Sequence, residues 1–320
     1  MKTSTSSTRQ NLSALWESMG MLVVFILLFI AMSVFVPNFL SAVNMKGLAL
    51  SVATVGIIAC TMLFCLAAGD FDLSIGSVVA LSGVLAAVVI NRTGSVGMGI
   101  TAGILAGGVV GVVNGTVIAR IGINALITTL ATMQIVRGFS YIVSDGKAIG
   151  VRESSFFSLG ISSFLNIPTP VWIMIVCFIF FGLLLNKTIF GRNTLAIGGN
   201  AEAARLAGIG VTATKVIIFT LQGLIAGFAG VILASRMTSG QPTTAQGLEL
   251  KVISACVLGG VSLTGGVGTM TGVIVGVLIM GTVENAMNLK NVEPFYQYVA
   301  SGSILLAAVL FDRLKQPRRV

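Results

Sequence analysis

The sequence predicts an all-α polytopic membrane protein with about ten transmembrane helices and both termini on the cytoplasmic side. Three observations predict it. Hydrophobic residues make up 55% of 320 and charged residues 9%, with a mean hydropathy of +1.02, whereas soluble domains carry roughly 25% charged residues. A spanning helix needs about 20 mostly apolar residues, and the chain offers about ten such stretches with short connections. The 19 Lys and Arg residues lie thinly between the stretches, in the pattern that sets membrane orientation.

The stretches run over 20–36, 48–68, 73–90, 97–118, 123–143, 170–186, 214–235, 246–260, 266–287 and 295–311. The eighth is short and contains glycine, so it reads as a half-helix or a re-entrant segment. Ahead of the first lies MKTSTSSTRQNLSALWES. A signal peptide would have a short apolar core and a small-residue cleavage site. Here the first apolar run is full length, so it reads as a retained helix.

Lys2 and Arg9 mark the N-terminus as cytoplasmic. Lys187, Arg192, Arg205 and Lys215 mark the loop after the sixth span, and Arg313, Lys315, Arg318 and Arg319 mark the C-terminus. Termini on one side need an even number of crossings, and six must precede residue 187. Ten satisfies both conditions; nine does not. The loop 144–169, with Asp145, Lys147, Arg152 and Glu153, has no net charge and faces the other side. The organisation is therefore a tail over 1–19, a membrane domain over 20–312 that includes a cytoplasmic segment at 187–213, and a tail over 313–320.

Several chemistries are excluded. The four cysteines, Cys60, Cys65, Cys177 and Cys256, sit in apolar runs, there is no CxxC pair and no histidine. Neither a disulfide framework nor a metal site is expected. The net charge of +9 is too dispersed for a nucleic-acid surface. There is no GxxxxGK[ST] phosphate loop, no HExxH and no GxSxG elbow. Asp70 and Asp72 stand two apart, a spacing that does not share one helix face, so no catalytic residue is assigned.

Glycine patterns the interior. Gly99, Gly103, Gly107, Gly111 and Gly115 recur every fourth residue and form one smooth ridge on a helix. Gly223 with Gly227, and Gly272 with Gly276, repeat the spacing. Such ridges serve helices that slide or helices that pack tightly; five in register point to a central helix. A weak internal echo pairs GDFDLSIG (69–76) with GGVSLTGG (259–266), matching Gly69 to Gly259, Leu73 to Leu263 and Gly76 to Gly266, with Ser74 facing Thr264. A duplicated ancestry would produce it.

Polar residues inside spans face protein or water rather than lipid. Gln134 and Arg137 lie in the fifth span, Gln222 in the seventh, Glu284 and Asn285 in the ninth. Each alone fits an interhelical hydrogen bond. Together they form a polar seam that could carry a sugar, whose hydroxyls need donors and acceptors. Asp70, Asp72 and Ser74, in GDFDLS, admit two readings: a gate on the substrate path, or a capping turn with Asp72 as N-cap of a helix starting at Leu73.

One segment reads like soluble protein: GGNAEAARLAGIG, 198–210. Asn200 is a strong N-cap, Glu202 complements the helix dipole in the first turn, and Gly208 is placed to stop the helix. The helix would cover 201–207. Two turns are not stable alone in water, so it must pack on something. It is either an ordinary amphipathic loop helix or a docking element for a soluble partner.

Here a resemblance enters. GGN-x-EAARLAG-I resembles the coupling segment of bacterial ABC-transporter sugar permeases of the ribose/arabinose/galactoside class. GDFDLSIGS and VLGGVSLTGGVGT resemble that family's two glycine-rich signatures. The likeness runs from about Gly20 to Gln316. INALITTLATMQIVRG, LLLNKTIFGRNTLAIGGN, ASRMTSGQP, VISACVLGGVSL and GTVENAMNL direct it toward the arabinose branch.

The resemblance implies a type II importer-like permease in the bacterial inner membrane. Two permease copies would form the pore, a periplasmic sugar-binding protein would deliver the cargo, and a cytoplasmic ABC ATPase subunit would hold ATP and magnesium. This chain itself would bind no cofactor and no nucleic acid; lipid surrounds it. The cargo is a monosaccharide, L-arabinose first, with ribose, galactose and xylose as alternatives. Gly198, Gly199, Asn200, Glu202, Ala203, Ala204, Arg205, Leu206 and Gly208 would enter a cleft on the ATPase, and Asp70 and Asp72 would serve gating. A proton- or sodium-coupled carrier is the competing reading. It needs carboxylates inside the spans, where only Glu284 qualifies, and it leaves the coupling segment without a purpose.

Overall fold

The computed structural model describes residues 5–315. Each predicted apolar stretch lies on a helix: α1 (Thr5–Phe35), α2 (Ala42–Ala67), α3 (Ile75–Thr93), α4 (Val96–Thr116) and α5 (Ala125–Ser144) come first. A short α6 (Ser158–Ile161) precedes α7 (Thr169–Lys187), α8 (Ile189–Gly199), α9 (Ala201–Leu206) and α10 (Val211–Arg236). The chain ends with α11 (Leu248–Leu258), α12 (Met270–Leu289) and α13 (Pro294–Lys315). Of the tails expected at the ends, residues 1–4 and 316–320 lie outside the described residues.

Among the described residues, 7 helices are long and apolar enough to cross a membrane: α2, α3, α4 with its extension to Ile121, α5, α7, α10 and α12. The apolar part of α1, Gly20–Phe35, is shorter. The short eighth stretch lies on α11, with 11 residues. At 1.5 Å per residue it reaches about half of a ~30 Å hydrocarbon core.

Local chemistry sets the ends. Ser41, Ser95, Asn124, Thr188, Asn200 and Thr269 each cap the helix that follows by accepting a backbone N–H, so orphan donors are satisfied where the chain enters each helix. The end of α4 widens into a π-turn over Val117–Ile121.

The glycine ridge explains the packing. Gly99 and Gly103 of α4 lie against α3, where an added Cβ would sit 2.8 Å from Ala86 O and Ser82 O respectively. Gly107, Gly111 and Gly115 lie against α10. A Cβ at Gly111 would sit 2.9 Å from Thr220 Cα, and one at Gly115 2.8 Å from Val216 Cα. Gly223 and Gly227 answer from α10, facing Gly107 and Gly111, and Gly103 and Ile104. Small residues on both surfaces bring the two backbones into contact. A similar pairing holds α12 to α11, where Gly272 and Gly276 meet Gly259 and Ala255. Around these contacts, Ile57, Leu63 and Phe64 of α2 pack with Phe178 and Phe181 of α7 in the main core. All four cysteines are buried and free.

The long loop between α5 and α7 is pinned to the end of the bundle away from α9. Its strand β1 (Ile149–Gly150) pairs antiparallel with β4 (Ser239–Gly240), just after α10, while β2 (Ser163–Phe164) and β3 (Ile167–Pro168) form a hairpin of their own. Asn91 of α3 donates to Gly150 O at 2.8 Å and accepts from Arg152 N at 3.0 Å. Ser235 Oγ donates to Phe156 O and accepts from Gly160 N.

The internal echo has a structural counterpart, with one shift of register. At the end of α2, Asp70 N reaches Cys65 O at 3.0 Å around Gly69, whose φ is +81°. At the end of α11, Val261 N reaches Cys256 O at 3.0 Å around Gly260, whose φ is +84°. Both are the left-handed stop that glycine permits. Gly69 thus corresponds to Gly260 rather than to Gly259. Just beyond, the expected register returns: Asp72 accepts from Ser74 N, and Ser262 Oγ accepts from Thr264 N. The two breaks touch through Gly266 N, which donates to Ala67 O at 2.9 Å.

Candidate coupling site and polar core

The charged segment is built by one asparagine used twice. Asn200, extended at φ −162°, closes α8 by donating its N–H to Ala196 O at 3.1 Å. Its side chain opens α9 by accepting from Ala203 N at 2.9 Å. α9 stops six residues later. Gly208 takes φ +83°, its N–H donates to Arg205 O, and Ile209 N donates to Ala204 O, both at 3.0 Å. The helix is therefore capped at both ends despite its length. Asn200→Ala is expected to destabilise it by about 0.5–2 kcal/mol, read as faster amide exchange at Ala203 than in the parent.

The faces of α9 differ. Ala204 is its buried residue and points into this chain, so of the residues expected to couple it serves as the anchor of the helix. Leu206 is 76% exposed, and Ala203, Glu202 and Arg205 are exposed beside it. Arg205 grips the Glu202 carboxylate through two bonds, Nε at 3.0 Å and Nη2 at 2.6 Å. This guanidinium holds the Glu202 carboxyl below its ordinary range. A lowered carboxylate pKa favours the helix above the ordinary value and loses that contribution as pH falls through the lowered one.

Behind α9 the backbone is crowded. Gly198 leaves no room for a Cβ against Ala67 O and Gly266 N. A Cβ on Gly265 would meet Gly198 O at 2.8 Å and Gly69 N at 2.9 Å. Gly199 approaches Gly266. Both breaks of the internal echo therefore meet at the residues that lead into α9. On the other side of α9, Lys215 in the second turn of α10 pairs with Asp70 at 2.8 Å, both side chains mostly buried.

A buried polar chain starts from the same break. The Asp72 carboxylate accepts from Ser74 N at 2.9 Å and Ser74 Oγ at 2.6 Å. Ser74 Oγ accepts from Asn114 Nδ2 of α4 at 3.0 Å. Thr132 Oγ1 of α5 lies 2.7 Å from Asn114 Oδ1 and 2.9 Å from Thr128 O; its single proton serves one of these at a time. The expectation that Asp72 caps a helix starting at Leu73 is corrected. The helix starts at Ile75, its N-cap is Ser74, and Asp72 is the turn acceptor one step earlier. Ser74 holds the N-cap position without a side-chain cap bond, its hydroxyl being turned to Asp72 and Asn114.

The remaining seam residues do not converge on one site. Gln134 is on the exposed face of α5. Arg137 donates to Pro242 O at 2.7 Å and Thr244 O at 2.8 Å, holding the irregular stretch between α10 and α11 inside the bundle, where such backbone must be satisfied by protein. Glu284 pairs with Lys251 of α11 at 2.9 Å. Asn285 exchanges amide bonds with Asn44 at 2.9 and 2.8 Å. Gln222 is fully buried, and neither its amide oxygen nor its nitrogen has a hydrogen-bond partner. Sequence reasoning missed Asn114, Thr132, Lys251 and the partner of Lys215. The signals for Asn114 and Lys251 were present: each is a polar group inside an apolar stretch. No group of three or more metal-ligating side chains occurs among the described residues.

Comparison with known proteins bears on this arrangement. The chain is 64% identical over 302 residues to the L-arabinose transport system permease protein AraH of Escherichia coli (strain K12), covering 94% of this chain and 92% of that one. It is 58% identical over 300 residues to the L-arabinose ABC transporter permease protein AraH of Azospirillum brasilense, covering 94% and 88%. It is 41% identical over 320 residues to the ribose import permease protein RbsC of Bacillus subtilis (strain 168), covering 98% and 99%. No solved structure matches. Residues 44–309 match the family described as branched-chain amino acid transport system / permease component, and the chain belongs to this family of transport-system permease components.

Proposed function

We propose that this chain is the membrane-spanning permease subunit of an ATP-driven importer for L-arabinose. The observation that carries the mechanism is α9, a two-turn helix capped at both ends that presents Leu206 and the Glu202–Arg205 pair outward. Identity to the L-arabinose permeases of two bacteria, at 64% and 58% against 41% for a ribose permease, supports the cargo.

On this reading α9 docks into a cytoplasmic ATPase subunit, which holds ATP and magnesium; the permease is a transport subunit and not an enzyme. The chain crosses the bacterial inner membrane ten times, with both termini on the side of α9. Two copies enclose the pore. The largely exposed apolar faces of α4 and α5, with Leu105 and Val109 on one and Ile135 and Phe139 on the other, suit a second copy or lipid. A sugar-binding protein delivers cargo to the pinned loop at the opposite end. Closure of the ATPase pair on ATP moves α9 and switches the pore from inward-open to outward-open. Specificity rests mainly on the binding protein. A proton-coupled carrier would rest on Glu284, which is tied up by Lys251.

The test is labelled L-arabinose uptake in cells that lack their own arabinose permease but keep its ATPase and binding protein. Expression of this chain is expected to restore uptake, to survive an uncoupler while ATP is maintained, and to resist competition by ribose, galactose and xylose. Uptake lost to the uncoupler at constant ATP would overturn the mechanism, and competition by another sugar would reassign the cargo.

A further inference from the structure

We propose that Asp70 and Lys215 are positioning residues, the pair through which movement of α9 reaches the break between α2 and α3. The inference rests on the docking reading of α9 and goes beyond it by naming the contact that transmits.

Two routes lead from α9 into the bundle. The first runs back through Gly198 and Gly199 to Ala67, Gly265 and Gly266. It is backbone against backbone, a close approach that small residues permit. The second runs forward through Gly208 to α10. α10 meets α4 through glycine as well, Gly223 and Gly227 against Gly103, Gly107 and Gly111, with Leu224 and Val231 packed beside them. The Lys215–Asp70 ion pair adds a charged contact to this route. Nζ and Oδ2 are 2.8 Å apart, and the two side chains are only 19% and 11% exposed. Removing one partner of a charged contact this shielded leaves the other charge poorly solvated.

The position of Asp70 gives the contact its reach. Two residues on, Asp72 is bonded to Ser74, Ser74 to Asn114, and Asn114 to Thr132. A displacement of Lys215 therefore arrives at a polar chain joining α3, α4 and α5. Thr132 already has two acceptors within reach of one proton, so the far end of that chain has two arrangements available. The Lys251–Glu284 pair, by contrast, joins α11 to α12 away from α9 and has no such connection.

The experiment uses the full complex of permease, ATPase and binding protein in liposomes, and reads L-arabinose imported per ATP hydrolysed. Asp70→Asn and Lys215→Met are each expected to lower that ratio about tenfold, within the span that substitutions at coupling residues produce, with assembly and hydrolysis retained. The exchange Asp70→Lys with Lys215→Asp is expected to recover most of the ratio. Lys251→Met with Glu284→Gln is expected to leave it unchanged. A structural role would lower assembled complex, import and hydrolysis together at constant ratio, and that result overturns the proposal. So do single variants with the parent ratio, or an exchange variant that assembles yet stays uncoupled. If the parent chain assembles no complex with the ATPase, the docking reading itself fails and this inference falls with it.

Discussion

Gly208→Pro is expected to abolish L-arabinose uptake while the permease still reaches the membrane in normal amount. Gly208 holds φ +83°, and proline is fixed near −65°. Proline also removes the N–H that Gly208 donates to Arg205 O. It further disfavours the helical conformation of the preceding residue, and Ala207 sits at φ −78°, ψ 6°. All three effects fall on the last turn of α9 and the first residues of the path into α10. Proline cannot adopt the left-handed conformation that Gly208 holds, so the turn joining α9 to α10 has to be rebuilt. Gly208→Ala keeps the N–H and costs roughly 1–2 kcal/mol for the left-handed conformation, so it is expected to give intermediate uptake. Uptake is compared with the amount of permease in isolated membranes. A proline variant that transports normally would remove α9 from the coupling mechanism.

Gly111→Leu is expected to eliminate folded protein rather than to uncouple it. A Cβ at Gly111 falls 2.9 Å from Thr220 Cα and closer still to Phe219 O, so the obstruction is backbone and no rotamer relieves it. α4 would have to separate from α10, pulling apart the contacts of Gly107 and Gly115 as well. Overpacking costs about 1–3 kcal/mol where side chains can yield; here they cannot, and the loss is expected to exceed that range. Gly138→Leu is the control, because a Cβ on Gly138 has nothing within 4 Å. The check is the fraction of each variant that stays soluble after mild heating in detergent: near the parent for Gly138→Leu and close to none for Gly111→Leu. Equal survival of the two would mean that the α4–α10 contact is dispensable.

What could be read directly from the residues was what depends on neighbours in the chain. Asn200 and Gly208 cap α9 through groups three to five residues away, and the glycine ridge is a property of one helix. What escaped was decided by partners from elsewhere. Asp72 and Ser74 are both good caps by type, but the Ser74 hydroxyl is taken up by Asp72 and by Asn114 on a different helix, so it caps no backbone N–H of α3. Lys215 was legible only as a cytoplasmic charge, since nothing local announces Asp70 as its partner. Asn285 was legible as a polar group at depth, but its use was fixed by Asn44 at the start of α2. The stretch TSGQPTTAQG reads as an ordinary connection. Its place inside the bundle depends on Arg137, whose side chain comes across from α5.

The four cysteines have a practical consequence. Cys60, Cys65, Cys177 and Cys256 are all buried, so impermeant maleimides should find little to modify on the native protein. The molecule is its own silent background for single-thiol labelling. One cysteine placed at Leu206, another at Leu165 on the hairpin tip, and reagents applied from either face of a sealed vesicle would assign both sides of the bilayer without altering a single native thiol.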